Sequence, residues 1–370
     1  MIPRHAFGKG LLGLGAMSLV FLLLAGCGGE STGKPSNSVA SPEASSASSA
    51  ESAATTASSG EPVPIKIQLS WVPQAEFAGF YVAKEKGYYL EEGLGVEILA
   101  GGPDIVPEQQ VANGTAQFGV NLVGSLLSHI EQGVPLVQIG QIFQDTSMVL
   151  VSKKASGIDS PEKFAGKKVG NWMGGNEYEV LALLSKYGLD PMKDLNFTKQ
   201  GFTMDQFMNG DLDVATAMIY NEYHVLLENG YKPEDLNVFN LDELGVGMLH
   251  DNLFVNKEWL ANNEETAVKF VRATLKGWKD AIANQDGAVD IVMKTVEEGS
   301  SSREHQLTMM QEVARLIQPE ELPAEQIGFT NQERFQLTAD IALKFGVIKN
   351  PADVSTAYTN VIVEKASKGT

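Results

Sequence analysis

The chain opens with an apolar stretch, 11–24, behind a short segment that carries Arg4 and Lys9. The stretch is shorter than the roughly 20 apolar residues a transmembrane helix needs. Its place behind a basic segment predicts a secretory signal over 1–26. Residues 28–61 are mostly Ser, Ala, Thr and Gly, with Val39 the one large apolar residue. Such a segment buries too little apolar surface to offset the entropy of ordering, so 27–61 reads as a tether.

From Pro62 onward, short apolar runs alternate with helical stretches. Residues 65–69 alternate like a strand, 77–86 read as a helix ended by Gly87, and 96–99 as a strand. Pro107–Ala112 is a short helix stopped at Asn113-Gly114, 118–120 a buried strand, 123–132 a helix and 135–142 a strand. The rhythm restarts with strand 168–172, helix 177–187, short helix 204–208, strand 214–219, helix Glu222–Glu228 and strand 238–241. After Phe254-Val255 the pattern turns helical, over 259–283, 289–296, 303–316 and 331–345. Strands alternating with helices predict α/β units with mainly parallel sheets. Two such units, crossed near 147–160 and 245–256, give lobe I over 62–150 and 250–370 and lobe II over 151–249. A cleft between two such lobes closes on a small molecule by hinging.

Composition narrows the class. The chain has 46 acidic and 28 basic residues and a formal net charge of −18, which weighs against nucleic acid as a partner. His5, His129, His224, His250 and His305 are scattered singly, and none is assigned a metal. No Gly-x-Ser-x-Gly is present, and Lys84 has no His near it in sequence, so neither enzyme activity nor a resident cofactor is expected. Cys27, the one cysteine, follows Leu24-Ala25-Gly26 at the end of the apolar run. That ending resembles the bacterial lipobox. The resemblance implies cleavage before Cys27, a lipid on its sulfur, and a protein held at the outer face of the cell membrane.

Three segments carry candidate chemistry, each after a strand and before a helix, where ligands of open α/β sheets bind. In the first, Trp71 ends a strand beside Pro73. That position favours the cleft over the core packing usual for Trp, and Phe77-Ala78-Gly79 opens a helix whose free N–H groups can meet a ligand. In the second, 171–179, Trp172 precedes Gly174 and Gly175, which let backbone approach a ligand closely. Asn176 and Glu177 fit both a helix cap and a ligand contact. In the third, Tyr220, Asn221 and Glu222 follow a strand, and Asn121 ends another. The aromatic residues offer stacking faces, and the amides and carboxyls offer hydrogen bonds to ring N–H, C=O or sugar hydroxyls. No Arg lies in the three motifs, which disfavours an anionic ligand.

The run from Leu69 to Leu94, with Trp71-Val72-Pro73, Gly79-Phe80-Tyr81 and Gly87-Tyr88-Tyr89, resembles the signature of substrate-binding proteins related to the thiamine-pyrimidine-precursor binders. Val111-Ala112-Asn113-Gly114, Phe118-Gly119-Val120 and 164–170 follow in that family's order. The resemblance covers about 64–345. It implies a two-lobed periplasmic-binding-protein fold of type II with a helical C-terminal tail, acting as a monomeric receptor for the permease and ATPase of an ABC importer. Pyrimidine-precursor members commonly carry Asn-His-Thr where this chain has Glu76-Phe77-Ala78. The cysteine-rich motif of the synthase members is absent. Glu76-Phe77-Ala78-Gly79-Phe80 together with 172–177 looks more like the riboflavin-binding receptors of bacterial riboflavin importers. Riboflavin is therefore the expected ligand, with a thiamine pyrimidine precursor or a ligand-sensing role as alternatives.

Overall fold

A computed structural model describes residues 60–368. The expected signal segment, Cys27 and nearly all of the tether lie outside the described residues. Ten strands form two five-stranded sheets. The first sheet contains β1 (Val63–Gln68), β2 (Leu94–Leu99), β3 (Phe118–Asn121) and β4 (Leu136–Gln141). The second contains β5 (Met148–Lys153), β6 (Lys168–Asn171), β7 (Asn196–Lys199), β8 (Val214–Met218) and β9 (Leu236–Asn240). The last strand, β10 (Asn252–Asn256), returns to the first sheet.

The spatial orders are β2-β1-β3-β10-β4 and β7-β6-β8-β5-β9, so the two sheets share one topology. In each sheet a single strand runs against the rest, β10 in the first and β5 in the second. These two are the strands that enter after the chain crosses between sheets. Two strands go unread in the sequence pattern. β5 sits in a stretch read only as a crossing, and its buried run Met148–Ser152 shows no alternation. β7 is a short, half-buried edge strand with a polar sequence.

The largest apolar cluster joins the first sheet to the helices Ala78–Glu85, Lys257–Ala283 and Arg303–Ile317. Phe118 stacks on Phe270 at 3.8 Å between centroids and Tyr89 on Phe270 at 5.1 Å. Asn256 caps the long helix, its Oδ1 accepting from the N–H groups of Glu258 (2.8 Å) and Trp259 (3.2 Å). Where that helix crosses Ala78–Glu85, a Cβ on Gly79 would stand 2.1 Å from the Trp278 ring. Gly79 thus serves helix–helix contact, not approach to a ligand. A second cluster packs the helix Tyr178–Lys186 with Phe335, Ala339 and Ala342 of the helix Gln332–Lys344. No helix among the described residues is long and apolar enough to cross a membrane.

Candidate ligand-binding site

The carboxyl ends of β1, β3, β6 and β8, together with the segment entering the antiparallel β10, all open onto one narrow cavity with about 30 Å³ of free interior. From the first sheet come Ser70, Trp71, Gln74 and Glu76 after β1, and Asn121 and Leu122 at β3. From the second come Trp172 and Asn176 after β6, and Met218, Tyr220 and Asn221 at β8, while Asp251 precedes β10. Six of the nine expected ligand-contact residues line it: Trp71, Asn121, Trp172, Asn176, Tyr220 and Asn221.

Phe77, Glu177 and Glu222 stand elsewhere. Phe77 is wholly buried in the main core because its turn faces the helices rather than the cleft. The Glu177 carboxylate accepts from Gly175 N at 2.8 Å and ties its own loop. Glu222 turns back to accept from Met218 N and from Asn221 Nδ2, both at 2.9 Å, and borders an outer groove.

The loop after β6 is set by backbone conformation. Met173, Gly174 and Gly175 take positive φ of 64°, 70° and 107°. Asn171 Oδ1 accepts from Met173 N at 2.8 Å, and Asn176 Nδ2 donates to Met173 O at 3.1 Å. A Cβ on Gly175 would lie 2.6 Å from Ser125 Oγ, on the helix Val123–Glu131 of the first sheet. The glycine therefore admits contact between the two halves of the cleft, not backbone approach to a ligand as its sequence suggested.

The mouth is aromatic. Trp71 and Trp172 meet edge to face, centroids 5.7 Å apart and planes at 63°. A flat ring held between two parallel faces needs about 7 Å, twice a carbon–carbon contact distance, so the tryptophans part before a ring stacks between them. Trp172 Nε1 donates to Gly201 O at 3.1 Å and the ring is buried. Half-buried Trp71 also packs on Phe202, 5.0 Å between centroids, and Phe202 is 51% exposed.

The floor is acidic. Glu76 is buried, and desolvation raises its carboxyl to about 7, against hydrogen bonds from Gln74 and Tyr220 that lower it. Asp251 lies within hydrogen-bonding reach of Glu76, and burial, then the Glu76 charge, push it well above the usual range. Tyr220 is likewise raised by burial and by Glu76, and its ring packs edge to face on Phe143 at 5.8 Å. Burial also raises Glu222 to about 7. On the side wall, Asn121 Nδ2 donates to both Glu108 oxygens at 3.1 Å, which fixes its amide. Burial raises the Glu108 carboxyl as well. Gln74, Glu76, Asp251, Ser70, Leu122 and Met218 were not picked out as ligand contacts from the sequence. Glu76 lies in a one-turn 3-10 helix and Asp251 in a crossing, and neither carries a periodic signal.

An outer groove shares Trp71, Gln74 and Asn221 with the cavity and continues along Thr203, Thr295, Ser300, Ser301, Ser302, His305 and Gln306. His305 ties its two walls. Its ring nitrogens meet Asn221 Oδ1 at 2.8 Å and Glu228 Oε1 at 2.9 Å. Among the described residues, no Lys or Arg lines either space.

Behind the cavity, Ser147, His250 and Glu179 form a serine–histidine–carboxylate chain, with 2.7 Å from Ser147 Oγ to Nδ1 and 2.6 Å from Nε2 to Glu179 Oε2. All three are buried. Ser147 N also points at Nδ1, at 3.3 Å. The chain joins the two crossing segments and is closed to a substrate.

A family model described as NMT1/THI5 like matches residues 74–288, more than half of the chain. The chain belongs to the NMT1/THI5-like family. The NMT1/THI5-like match takes in every cavity residue except Ser70 and Trp71. Riboflavin-binding protein RibY of Chloroflexus aurantiacus is 27% identical over 94% of this chain and 97% of its own length. A formylaminopyrimidine-binding protein of Halalkalibacterium halodurans is 25% identical over 64% of this chain and 72% of its own. Other relatives are named as 4-amino-5-hydroxymethyl-2-methylpyrimidine phosphate synthases. Among solved structures, the periplasmic aliphatic sulphonate binding protein SsuA of Escherichia coli superposes with a TM-score of 0.58 at 14% identity, over 80% of this chain and 92% of that one. The two-sheet architecture is that of the periplasmic binding proteins, as the sequence resemblance implied.

Proposed function

We propose that this protein is an extracytoplasmic solute-binding lipoprotein, anchored through Cys27, that captures riboflavin between its two sheets and delivers it to the permease of an ABC importer. The observation that carries this reading is the chemistry of the walls: tryptophan faces, amides and carboxyls, with no Lys or Arg on any described lining position. Such walls suit a flat uncharged ring and oppose a sulfonate, nitrate or phosphate, which would meet buried carboxyls without a countercharge. Likeness to RibY along nearly the whole chain supports the flavin. The hydroxyl-rich groove that continues from the cavity supports a ring bearing a polar chain. Closure of the lobes on the ligand would bring Trp71 and Trp172 onto it.

A thiamine pyrimidine precursor is the second reading. The free interior of the cavity, about 30 Å³, is far below the roughly 300–1,000 Å³ of small-molecule sites, so the lobes must part to admit either ligand, and a single ring asks for less opening than a flavin. Titration of the protein with riboflavin, followed by flavin fluorescence, separates the two. Saturable quenching is expected as the flavin stacks on tryptophan. Absence of quenching, with binding of an aminopyrimidine by calorimetry, would move the assignment to the second reading.

A further inference from the structure

We propose that the Glu76–Asp251 carboxyl pair at the cavity floor is the polar recognition site, reading a hydrogen-bond donor and an acceptor side by side on the edge of an uncharged heteroaromatic ring. The inference rests on the solute-binding reading above and adds which groups select the ring.

The two carboxyls reach the floor from distant parts of the chain. Glu76 belongs to the turn before the helix Ala78–Glu85, and Asp251 to the crossing into β10. Glu76 is 4% exposed and Asp251 5%, both border the cavity, and each is within hydrogen-bonding reach of the other. Two buried carboxylates at that distance do not both ionise. Among the described residues no Lys or Arg lines the cavity, and His250 is the one neighbour whose charge favours an ionised Glu76, an effect that burial outweighs. Gln74 and Tyr220 donate to Glu76, Glu222 adds negative charge, Tyr81 stands near Glu76 with a neutral phenol, and the His250 ring is engaged by Ser147 and Glu179.

A proton therefore stays with the pair. Shared between Glu76 and Asp251, it makes the floor one O–H donor beside one carboxylate acceptor. That is the complement of an N–H beside a C=O, as on an imide, or of an NH2 beside a ring nitrogen, as on an aminopyrimidine. A ring edge that replaces the bond between the two carboxyls leaves both satisfied. Asp251 also holds a left-handed backbone, φ 42°, uncommon outside glycine. Strain of that kind concentrates at ligand sites.

The test titrates the full chain from pH 6 to 9 with riboflavin, with riboflavin methylated at the imide nitrogen, and with an aminopyrimidine. It compares the wild type with Asp251→Asn and Glu76→Gln. The wild type should lose about tenfold in affinity per pH unit once the last proton leaves the pair. Asp251→Asn keeps a permanent donor and tolerates the left-handed backbone, so its profile should be flatter. Glu76→Gln removes the charge that holds the shared proton, and should move the fall to lower pH even if Asp251→Asn does not fold. The methylated flavin should bind the wild type about ten- to a hundredfold more weakly, the loss of one hydrogen bond to a charged group.

Wild-type and variant profiles that coincide, or a methylated flavin that binds as well as riboflavin, would overturn the pair as the recognition site. Failure of riboflavin alone at every pH would remove the flavin reading, and the aminopyrimidine profiles then decide. Binding of neither ligand would overturn the recognition site itself.

Discussion

The mouth and the floor of the cavity are built for opposite purposes. At the mouth, Trp71, Trp172 and Phe202 touch through faces and edges with few polar ties, Trp172 Nε1 to Gly201 O among them. At the floor, Glu76, Asp251 and Tyr220 are buried and joined by hydrogen bonds, with their charged forms disfavoured. Aromatic area supplies affinity with loose geometric demands. Buried polar groups discriminate steeply, because a ligand that fails to match them leaves them unsatisfied. Within one cleft, then, the mouth holds and the floor selects, and only the floor works against stability when the protein is empty.

The largest expected effect separates the two tryptophans of the mouth. Trp172 is 2% exposed, whereas Trp71 is only half-buried. Trp172→Ala should destabilise the fold by about 3–5 kcal/mol, the usual cost of truncating a buried tryptophan. Trp71→Ala should leave stability within about 1 kcal/mol and weaken ligand binding by about 1–3 kcal/mol. Urea unfolding without ligand, paired with titration of each variant, checks both. Equal stability losses would mean that Trp71 belongs to the core and not to the mouth.

The floor should show the reverse sign. Burial raises Glu76 from 4.5 to about 7, so between those values the folded protein binds more protons than the unfolded chain. The stability associated with the protonated carboxyl is complete below about 4.5 and is lost as pH rises to about 7. Glu222 adds a loss in the same window. Glu76→Gln removes its share, and should stabilise the ligand-free protein by about 2–3 kcal/mol at pH 8 while changing little near pH 4. Denaturation midpoints across pH 4–8 measure this. A variant curve parallel to the wild type would show that Glu76 is not charged against a penalty in the fold, and would erase the contrast with the mouth.

The cavity residues at strand ends were legible in the sequence and the acidic pair at the floor was not, for a physical reason. Trp71, Asn121, Trp172 and Tyr220 sit where a strand ends and the chain turns toward a helix. Local alternation and Gly and Pro placement reveal such positions. Glu76 and Asp251 become neighbours only because β10 returns antiparallel to the first sheet after the whole second sheet is built. A pairing across that separation is a property of topology, and no window of sequence contains it. The same limit hid β5, whose buried run lacks alternation, and misread Gly175, whose permissive backbone meets protein, Ser125, and not a ligand.

Phe202 sharpens the comparison at its smallest scale. It is 51% exposed yet packs on Trp71, and it stands on the second-sheet side of the mouth in no recognisable motif. An exposed aromatic that serves only the mouth should contribute to binding and not to folding. Phe202→Ala is therefore expected to weaken ligand capture by about 0.5–1.5 kcal/mol, the worth of one aromatic pair, without moving the unfolding midpoint. If affinity stays unchanged, Phe202 merely shields Trp71 and the holding surface shrinks to the two tryptophans. A loss as large as that of Trp71→Ala would instead make Phe202 a third wall of the ring site, with the ligand bridging both sheets at the mouth before its edge reaches the floor.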